Sequence, residues 1–343
     1  MTREPKLGRR SHVVRAVTRN PVVRWVTGNR TLRRIGGAVL TLFGVAVVVF
    51  IMLRAIPGDQ ITANLGTEAA GLTDAQRDAL TRYYGLDQPL VTQFFSWLGN
   101  VVTGNLGFSA RAQQSVLELT MSSLPVTFEL AALSIILALV MGVPLGMLAA
   151  SRPDSLRDGF SQTVGLAGLS IPAFLLATTL LSVLATWLGF NPNGQRFAPL
   201  FDDPLLNLQQ MLLPALVLGF GIAAPIMRTT RTAVLEVRSD DFVRTARAKG
   251  VPARRLQIKH VLGNALVPIV TMTGLQFGYL LGGAVVVEQV FSIPGIGRQV
   301  LLGIQQKEYA LVQSSVLVIA LAFVIVNLLT DLLYRVIDPR VRA

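Results

Sequence analysis

The sequence predicts an all-α integral membrane protein with six transmembrane helices and both termini on the cytoplasmic side. Three observations lead there. Of 343 residues, 52% are hydrophobic and only 15% charged, far from the usual balance of a soluble domain. Long apolar stretches stand apart between polar loops, each near the roughly 20 residues a helix needs to cross a bilayer. The basic residues fall on alternate loops.

Residues 1–34 read as a basic cytoplasmic tail and 35–54 as the first span. The apolar core of that span is longer than the 7 to 15 residues of a signal peptide, and no small-residue cleavage site follows, so it is expected to be retained. Arg9 and Arg10 form a twin-arginine pair only superficially, because the apolar segment starts well downstream. An external segment, 55–124, follows, in which Thr73, Asp74 and Leu80 suggest a short amphipathic helix outside the bilayer. Further spans are expected at 125–150, 160–190, 211–227, 264–290 and 313–334. A cytoplasmic loop occupies 228–263, an external or re-entrant segment 291–312, and a second cytoplasmic tail 335–343.

With the amino terminus inside, the inner segments hold 24 of the 31 Lys and Arg, and the outer ones hold 7 against 10 acids. The formal charge of +12 is therefore the positive-inside asymmetry of a membrane protein and not a nucleic-acid footprint. The absence of cysteine excludes disulfides, thiolate zinc sites and cysteine nucleophiles. No phosphate-cradling Gly and Lys loop is present, so the chain is no ATPase. Its two histidines, His12 and His260, both fall on inner segments, which leaves an intramembrane protease without ligands or base.

The spans contain Gly142, Pro144, Pro172, Pro214, Gly219, Gly221, Pro225, Gly278, Gly282 and Gly283, residues that suit close helix packing or irregular backbone facing a cavity. Charge is sparse. Glu129 reads as the clear intramembrane carboxylate, with Arg54 and Asp331 near helix ends. Glu129 has two readings: a partner for a substrate's ammonium group, or a carboxylate stabilising the amino end of the second span. Gln276 and Asn327 either line a pathway or bond neighbouring helices. Without ionisable relays, the chain lacks the usual equipment of a proton- or sodium-driven carrier, although such a carrier or a channel stays the alternative.

The most informative segment is Ser239 Asp240 Asp241 Phe242 Val243 Arg244 Thr245 Ala246 Arg247 Ala248 Lys249 Gly250 Val251 Pro252. Ser239 or Asp240 can cap a short helix, Arg247 and Lys249 lie at the negative end of its dipole, and Gly250 supplies a left-handed stop. Pro252 opens a second helix running through His260 into span five. Two short helices meeting at a Gly hinge make a docking peg.

This loop resembles the coupling loop of ABC importer permeases. The run Arg244 Thr245 Ala246 Arg247 Ala248 Lys249 Gly250 is close to the form of the dipeptide and oligopeptide (peptide/nickel) branch, and His260, Asn264 and Pro268 continue it. Arg244 and Thr245 replace the Glu and first Ala of the wider family. The rest of the chain is similar too: Pro57 Gly58 Asp59, Gly85 to Pro89, Gln93 with Trp97, Leu106 Gly107 with Ser109, then Ser170 Ile171 Pro172. Phe291 with Pro294 Gly295 Ile296 Gly297 Arg298, and Asp331, Tyr334, Asp338, Pro339 and Arg340 complete the series. The order matches the first permease of such importers, with Asn105 where Asp is common.

The resemblance implies a type I ABC importer permease fold in the bacterial inner membrane. It also implies a second homologous permease, two cytoplasmic ATPase subunits that bind the ATP and Mg, and an external substrate-binding protein, with no cofactor or metal in this chain. Peptides are the implied substrate. Nickel, glutathione and sugars occur in the same branch, and the lack of outer His and Cys argues mildly against bare metal recognition. Asp241, Arg244, Thr245, Ala246, Arg247, Ala248, Lys249, Gly250 and His260 are the implied coupling residues, with Ala246 and Gly250 allowing close approach. Glu129, Ser170, Pro172, Gln276, Phe291, Pro294, Gly295, Gly297 and Arg298 are candidates for pathway or gate. Residues 291–298 are expected to form an external turn or a re-entrant sealing element, because Pro294, Gly295 and Gly297 break a helix at membrane depth.

Overall fold

The computed structural model describes residues 30–55, 71–83, 85–109, 111–189, 191–192 and 194–337. Residues 1–29, Pro57, Gly58, Asp59, Asp338, Pro339 and Arg340 lie outside them, as do the side chains of Asp331 and Tyr334. The described residues are helical almost throughout. Helix α1 runs Arg30–Ala55, α2 Asp74–Tyr83 and α3 Leu90–Val102. A small antiparallel hairpin follows, β1 (Phe108–Ser109) with β2 (Gln114–Ser115), pairing Phe108 with Ser115 and Ser109 with Gln114. Then come α4 (Val116–Ser151), α5 (Leu156–Ser170), α6 (Ala173–Leu188), α7 (Pro204–Ser239) and α8 (Asp241–Ala248). Helix α9 (Ala253–Arg255) leads through a π-helical stretch, Leu256–Leu262, into α10 (Gly263–Gly283). The last elements are α11 (Val285–Val290), α12 (Ile296–Gln306) and α13 (Tyr309–Ile337).

Among the described residues, five helices are long and apolar enough to cross a bilayer: Arg34–Ala55, α4, α7, Ala253–Gly283 and Tyr309–Thr330. The sixth expected span, 160–190, is two helices, α5 and α6, bent by 96°. The bend falls at Ile171 and Pro172, both extended, as the residue before a proline prefers. Prolines 125, 144, 214, 225 and 268 lie inside helices that continue past them. Other boundaries differ as well. Helices α4 and α7 each have 36 residues, about 54 Å of helix, so the stretches expected at 125–150 and 211–227 are only parts of longer rods. Span five, expected to reach residue 290, breaks at Ala284.

Local chemistry explains the starts. Thr73 and Gln76 form a reciprocal cap on α2: the Thr73 N–H donates to Gln76 Oε1 at 2.9 Å and the Gln76 N–H to Thr73 Oγ1 at 3.4 Å. Ser115 Oγ accepts from the Glu118 N–H at 3.2 Å to start α4. Asp203 Oδ1 accepts from the Leu206 N–H at 3.1 Å, with Pro204 at the first helical position of α7.

The main core forms between α4 and α7, which run in the same direction. Without side chains at Gly142, Gly146 and Gly219, the two backbones nearly touch. A Cβ at Gly142 would lie 2.7 Å from the Ala223 carbonyl oxygen, one at Gly146 2.6 Å from that of Met227, and one at Gly219 2.8 Å from that of Ser134. Helix α5 joins the pair by the same device, through Gly165 against Met227 and Gly168 against the Phe220 carbonyl. Gly278 of α10 meets Phe323 of α13, as the close-packing expectation requires, whereas Gly282 meets nothing within 4 Å. Leu130, Ala138, Met211, Ala215, Ile226 and Leu281 fill the space between.

Gly146→Leu should therefore destabilise the bundle, overpacking of this kind costing about 1–3 kcal/mol. Gly159→Ala, whose added Cβ meets nothing within 4 Å, should not. Thermal midpoints of the detergent-purified proteins check this, and equal midpoints for both variants would contradict the packing.

Candidate functional site

Two assemblies sit at opposite ends of the α4–α7 pair, separated along α4 by the 23 residues from Thr127 to Ala150, or about 35 Å of helix.

The first is α8, a peg turned off the end of α7. Asp240 is its N-cap residue by backbone geometry but gives no side-chain cap bond. The Ser239 hydroxyl donates to Glu236 O at 2.6 Å, so neither expected capping bond forms. The far end closes as foreseen. Gly250 adopts φ +76°, its N–H donates to Arg247 O at 3.0 Å, and the Val251 N–H reaches back to Ala246 O at 3.2 Å. These are the paired bonds of a Schellman stop.

Only one face of the peg is anchored. Val243, 1% exposed, packs with Ala150, Ala233, Val234, Leu256 and Val261, and Ala246 and Val251 lie against the same cluster. Ala246 therefore points toward the bundle, and Ala248 stands on the free face in its place. Phe242, Arg244, Thr245, Arg247, Ala248, Lys249 and Gly250 are exposed. Arg244 and Asp241 approach at 3.5 Å, both largely in solvent, where such a pair contributes little. Beneath the peg, Arg238 donates to the Ala150 and Ser151 carbonyls, closing the carboxyl end of α4 with a cation where the helix dipole favours one. Arg231 holds Asp158 of α5 with two bonds, Nε to Oδ1 at 2.9 Å and a terminal nitrogen to Oδ2 at 2.6 Å. His260 is half-buried within the π-helical stretch, and its carbonyl accepts from Asn264 Nδ2 at 2.6 Å.

The second assembly is the turn between α11 and α12. Helix α11 ends in another Schellman arrangement: Ser292 takes φ +56°, its N–H donates to Gln289 O at 3.2 Å, and the Ile293 N–H donates to Glu288 O at 2.8 Å. The chain then turns inward. Phe291, Ile293, Gly295, Ile296 and Gly297 are buried, while Ser292 and Pro294 are exposed. Phe291 and Ile293 join the main core, so this is no plain surface loop.

A buried carboxylate holds the turn. Glu288, 0% exposed, accepts from Thr127 Oγ1 of α4 at 2.7 Å and from the Arg298 N–H at 2.8 Å. Thr127 in turn accepts from the Ile296 N–H at 2.9 Å. Two N–H groups that α12 leaves open in its first turn are thus satisfied by α4 and α11, with a carboxylate at the positive end of the helix dipole. The space is tight: a Cβ on Gly295 would collide with the Glu288 carboxyl group, and one on Gly297 would lie 2.8 Å from Val285 Cγ2. Beside it, Glu308 accepts from Ser109 Oγ at 2.9 Å and the Arg111 N–H at 3.1 Å, tying the hairpin to the start of α13.

Of the expected gate residues, Phe291, Pro294, Gly295, Gly297 and Arg298 come together here. Ser170 and Pro172 lie exposed at the α5–α6 bend, and Gln276 is half-buried on α10. Glu129 sits in the fourth turn of α4, facing Asn207 of α7. It is not at the amino end of that helix, where Glu118 lies, so the dipole reading of Glu129 does not hold. Nor is Glu129 the one clear carboxylate of the apolar region. Glu288 and its partner Thr127 were missed; the signal was an acid inside a valine-rich run directly before Phe291 and the Pro-Gly turn.

The family model described as the binding-protein-dependent transport system inner membrane component matches residues 142–343, and the model of the amino-terminal part of that component matches 29–131. A glutathione transport system permease protein of Escherichia coli O6:H1 is 39% identical over 315 residues, covering 92% of this chain and 99% of its own length. A putative peptide permease protein of Brucella ovis is 40% identical over 303 residues, covering 88% and 95%. Among solved structures, the inward-facing MetNI methionine ABC transporter superposes with a TM-score of 0.52 at 19% identity, covering 64% of this chain and 96% of that one. That last likeness is one of fold alone.

Thr127→Val should loosen the turn, since it leaves Glu288 and the Ile296 N–H each short of a partner, a loss of about 1–3 kcal/mol. In a chain with no native cysteine, a single cysteine at position 293 reports this directly. It should react slowly with a thiol reagent in the parent and faster beside Thr127→Val; equal rates would mean that the hydroxyl does not hold the turn.

Proposed function

The chain belongs to the family of binding-protein-dependent transport system inner membrane components, so it is a multi-pass permease of an ABC importer, and we propose that its substrates are short peptides, glutathione among them. Glutathione is itself a tripeptide. The functions named for the two relatives therefore share one chemistry, a small amide-linked molecule with free ammonium and carboxylate ends. Family membership also displaces the gradient-driven carrier or channel as a reading.

In this proposal the α8 end faces the cytoplasm, in keeping with the excess of Lys and Arg on that side. The exposed face of α8 docks into a partner ATPase, which binds the ATP and Mg. Arg244, Arg247 and Lys249 orient it, and Ala248 and Gly250 permit close approach. A second, homologous permease carries its own peg to a second ATPase, and the pathway lies between the two permeases. ATPase closure draws the pegs together and the long helices relay the movement, giving alternating access. The turn held by Glu288 forms part of the outer seal beneath an external binding protein that selects the substrate. The single observation that carries the reading is the peg itself: an amphipathic helix anchored through Val243, closed at Gly250, and presenting a basic face that none of the described residues covers.

ATP-driven uptake by the reconstituted complex tests it. Gly250→Val places a β-branched residue at φ +76°, a cost of about 1–2 kcal/mol, and should abolish uptake while the chain still inserts in the membrane at normal levels. Normal uptake by that variant would refute the docking role. The chain should also be inactive without a second permease; transport by this polypeptide and ATPases alone would overturn the paired pathway.

A further inference from the structure

We propose that the polar cleft between α1, α3 and the start of α13 holds the phosphate of an anionic phospholipid headgroup. The cleft has a volume of about 370 Å³ and is lined by Arg54, Arg82, Gln93, Asn100, Asn105 and Gln313, among others, with Trp97 in its wall. No carboxylate is among the described residues that line it. Two guanidiniums surrounded by amides make a donor-rich, net positive site suited to phosphate oxygens.

The site is built in advance. Gln93 Oε1 accepts from Arg54 at 3.1 and 2.7 Å, and its Nε2 is tied to Gln88 O at 2.8 Å. The Arg54 guanidinium is further fixed 3.7 Å above the Phe50 ring. Arg82 Nε donates to Asp78 O at 3.3 Å, and its side chain lines the cleft. Gln313 is only 5% exposed, and its Nε2 has no partner among the described residues. A buried amide donor without an acceptor is costly, and Gln313 stands in the wall of this cleft.

The surroundings select lipid over a soluble anion. Leu90, Val91 and Phe95 of α3, and Ile51 and Met52 of α1, are exposed apolar side chains on the helices flanking the cleft. Such faces belong in acyl chains, with Trp97 at the headgroup level. Arg54 and Arg82 also stand at the end of the bundle that is poor in cations, where charge asymmetry does not call for them.

Native mass spectrometry of the purified full-length chain, titrated separately with phosphatidylglycerol, phosphatidylcholine and inorganic phosphate, tests this. Phosphatidylglycerol should bind best. Arg82→Gln should weaken it about five-fold, one cation's share near an anionic headgroup. Asn100→Asp, which puts a negative charge in the wall, should weaken it too. Arg196→Gln, an exposed cation elsewhere, should have no effect. Arg82 is exposed, so its variant should keep the parent's thermal midpoint and report on binding alone. Equal affinity for phosphatidylcholine, displacement of the lipid by inorganic phosphate, or full binding by both Arg82→Gln and Asn100→Asp at unchanged thermal midpoint would each overturn the assignment.

Discussion

Everything in this chain hangs on the near-contact of two backbones. Between helices in lipid the hydrophobic effect offers no drive, so association rests on close van der Waals packing. Gly142, Gly146 and Gly219 supply it by removing the Cβ atoms that would meet carbonyl oxygens of the facing helix. The hydroxyls in this interface are kept out of the way: Ser134 donates to Leu130 O at 2.7 Å and Thr230 to Ile226 O at 2.8 Å, each within its own helix. The result is a stiff pair of rods, and each rod contributes to both ends. Helix α4 offers Thr127 to the turn at one end and its last carbonyls to Arg238 at the other. Helix α7 carries Arg231 and Arg238 and then runs straight into the peg.

The two ends solve the problem of a buried charge in different ways. At the peg end Asp158 has a cation, Arg231, gripping both its oxygens. At the other end the guanidinium nearest to Glu288 turns away, Arg298 donating instead to Ser292 O at 2.7 Å, and the carboxylate is held by a hydroxyl and a backbone N–H. An anion at a helix amino terminus needs no cation, because open N–H groups and the helix dipole already favour it. Separating the Asp158–Arg231 pair parts two opposite charges, and lifting α12 from Glu288 leaves a buried carboxylate short of a donor, so both contacts hold their segments in place.

How much of this was legible in the sequence follows from what hydropathy and local signals measure. The spans were visible because the bilayer imposes a length on apolar runs. The peg was visible because its stop, Gly250, and its amphipathic face are written in consecutive residues. Helix ends were not, since hydropathy reports a change of solvent and not the end of a helix: α7 continues through Arg228, Arg231 and Arg238 to Ser239. The bend at Pro172 could not be told from Pro144 or Pro225, which stay within helices, because only packing decides whether a proline's missing bond ends the helix. Glu288 was overlooked for a related reason. Its role depends on Thr127, 161 residues earlier, and no local pattern announces a bond of that span.

The distribution of these bonds has a consequence for where selectivity can reside. Glu288, Glu308 and Asp158 each have both carboxylate oxygens engaged by this chain's own donors, so each is tied into the packing of the chain. Glu129 differs. Its Oε1 is buried with no partner among the described residues, and the Oδ1 of the facing Asn207 is in the same condition. The Glu129 carboxyl group stands against the Asn207 side chain, across the two rods that carry the fold. These carboxylates are thus spent on the chain's own packing, and in the proposed importer the choice among substrates falls to the binding protein outside.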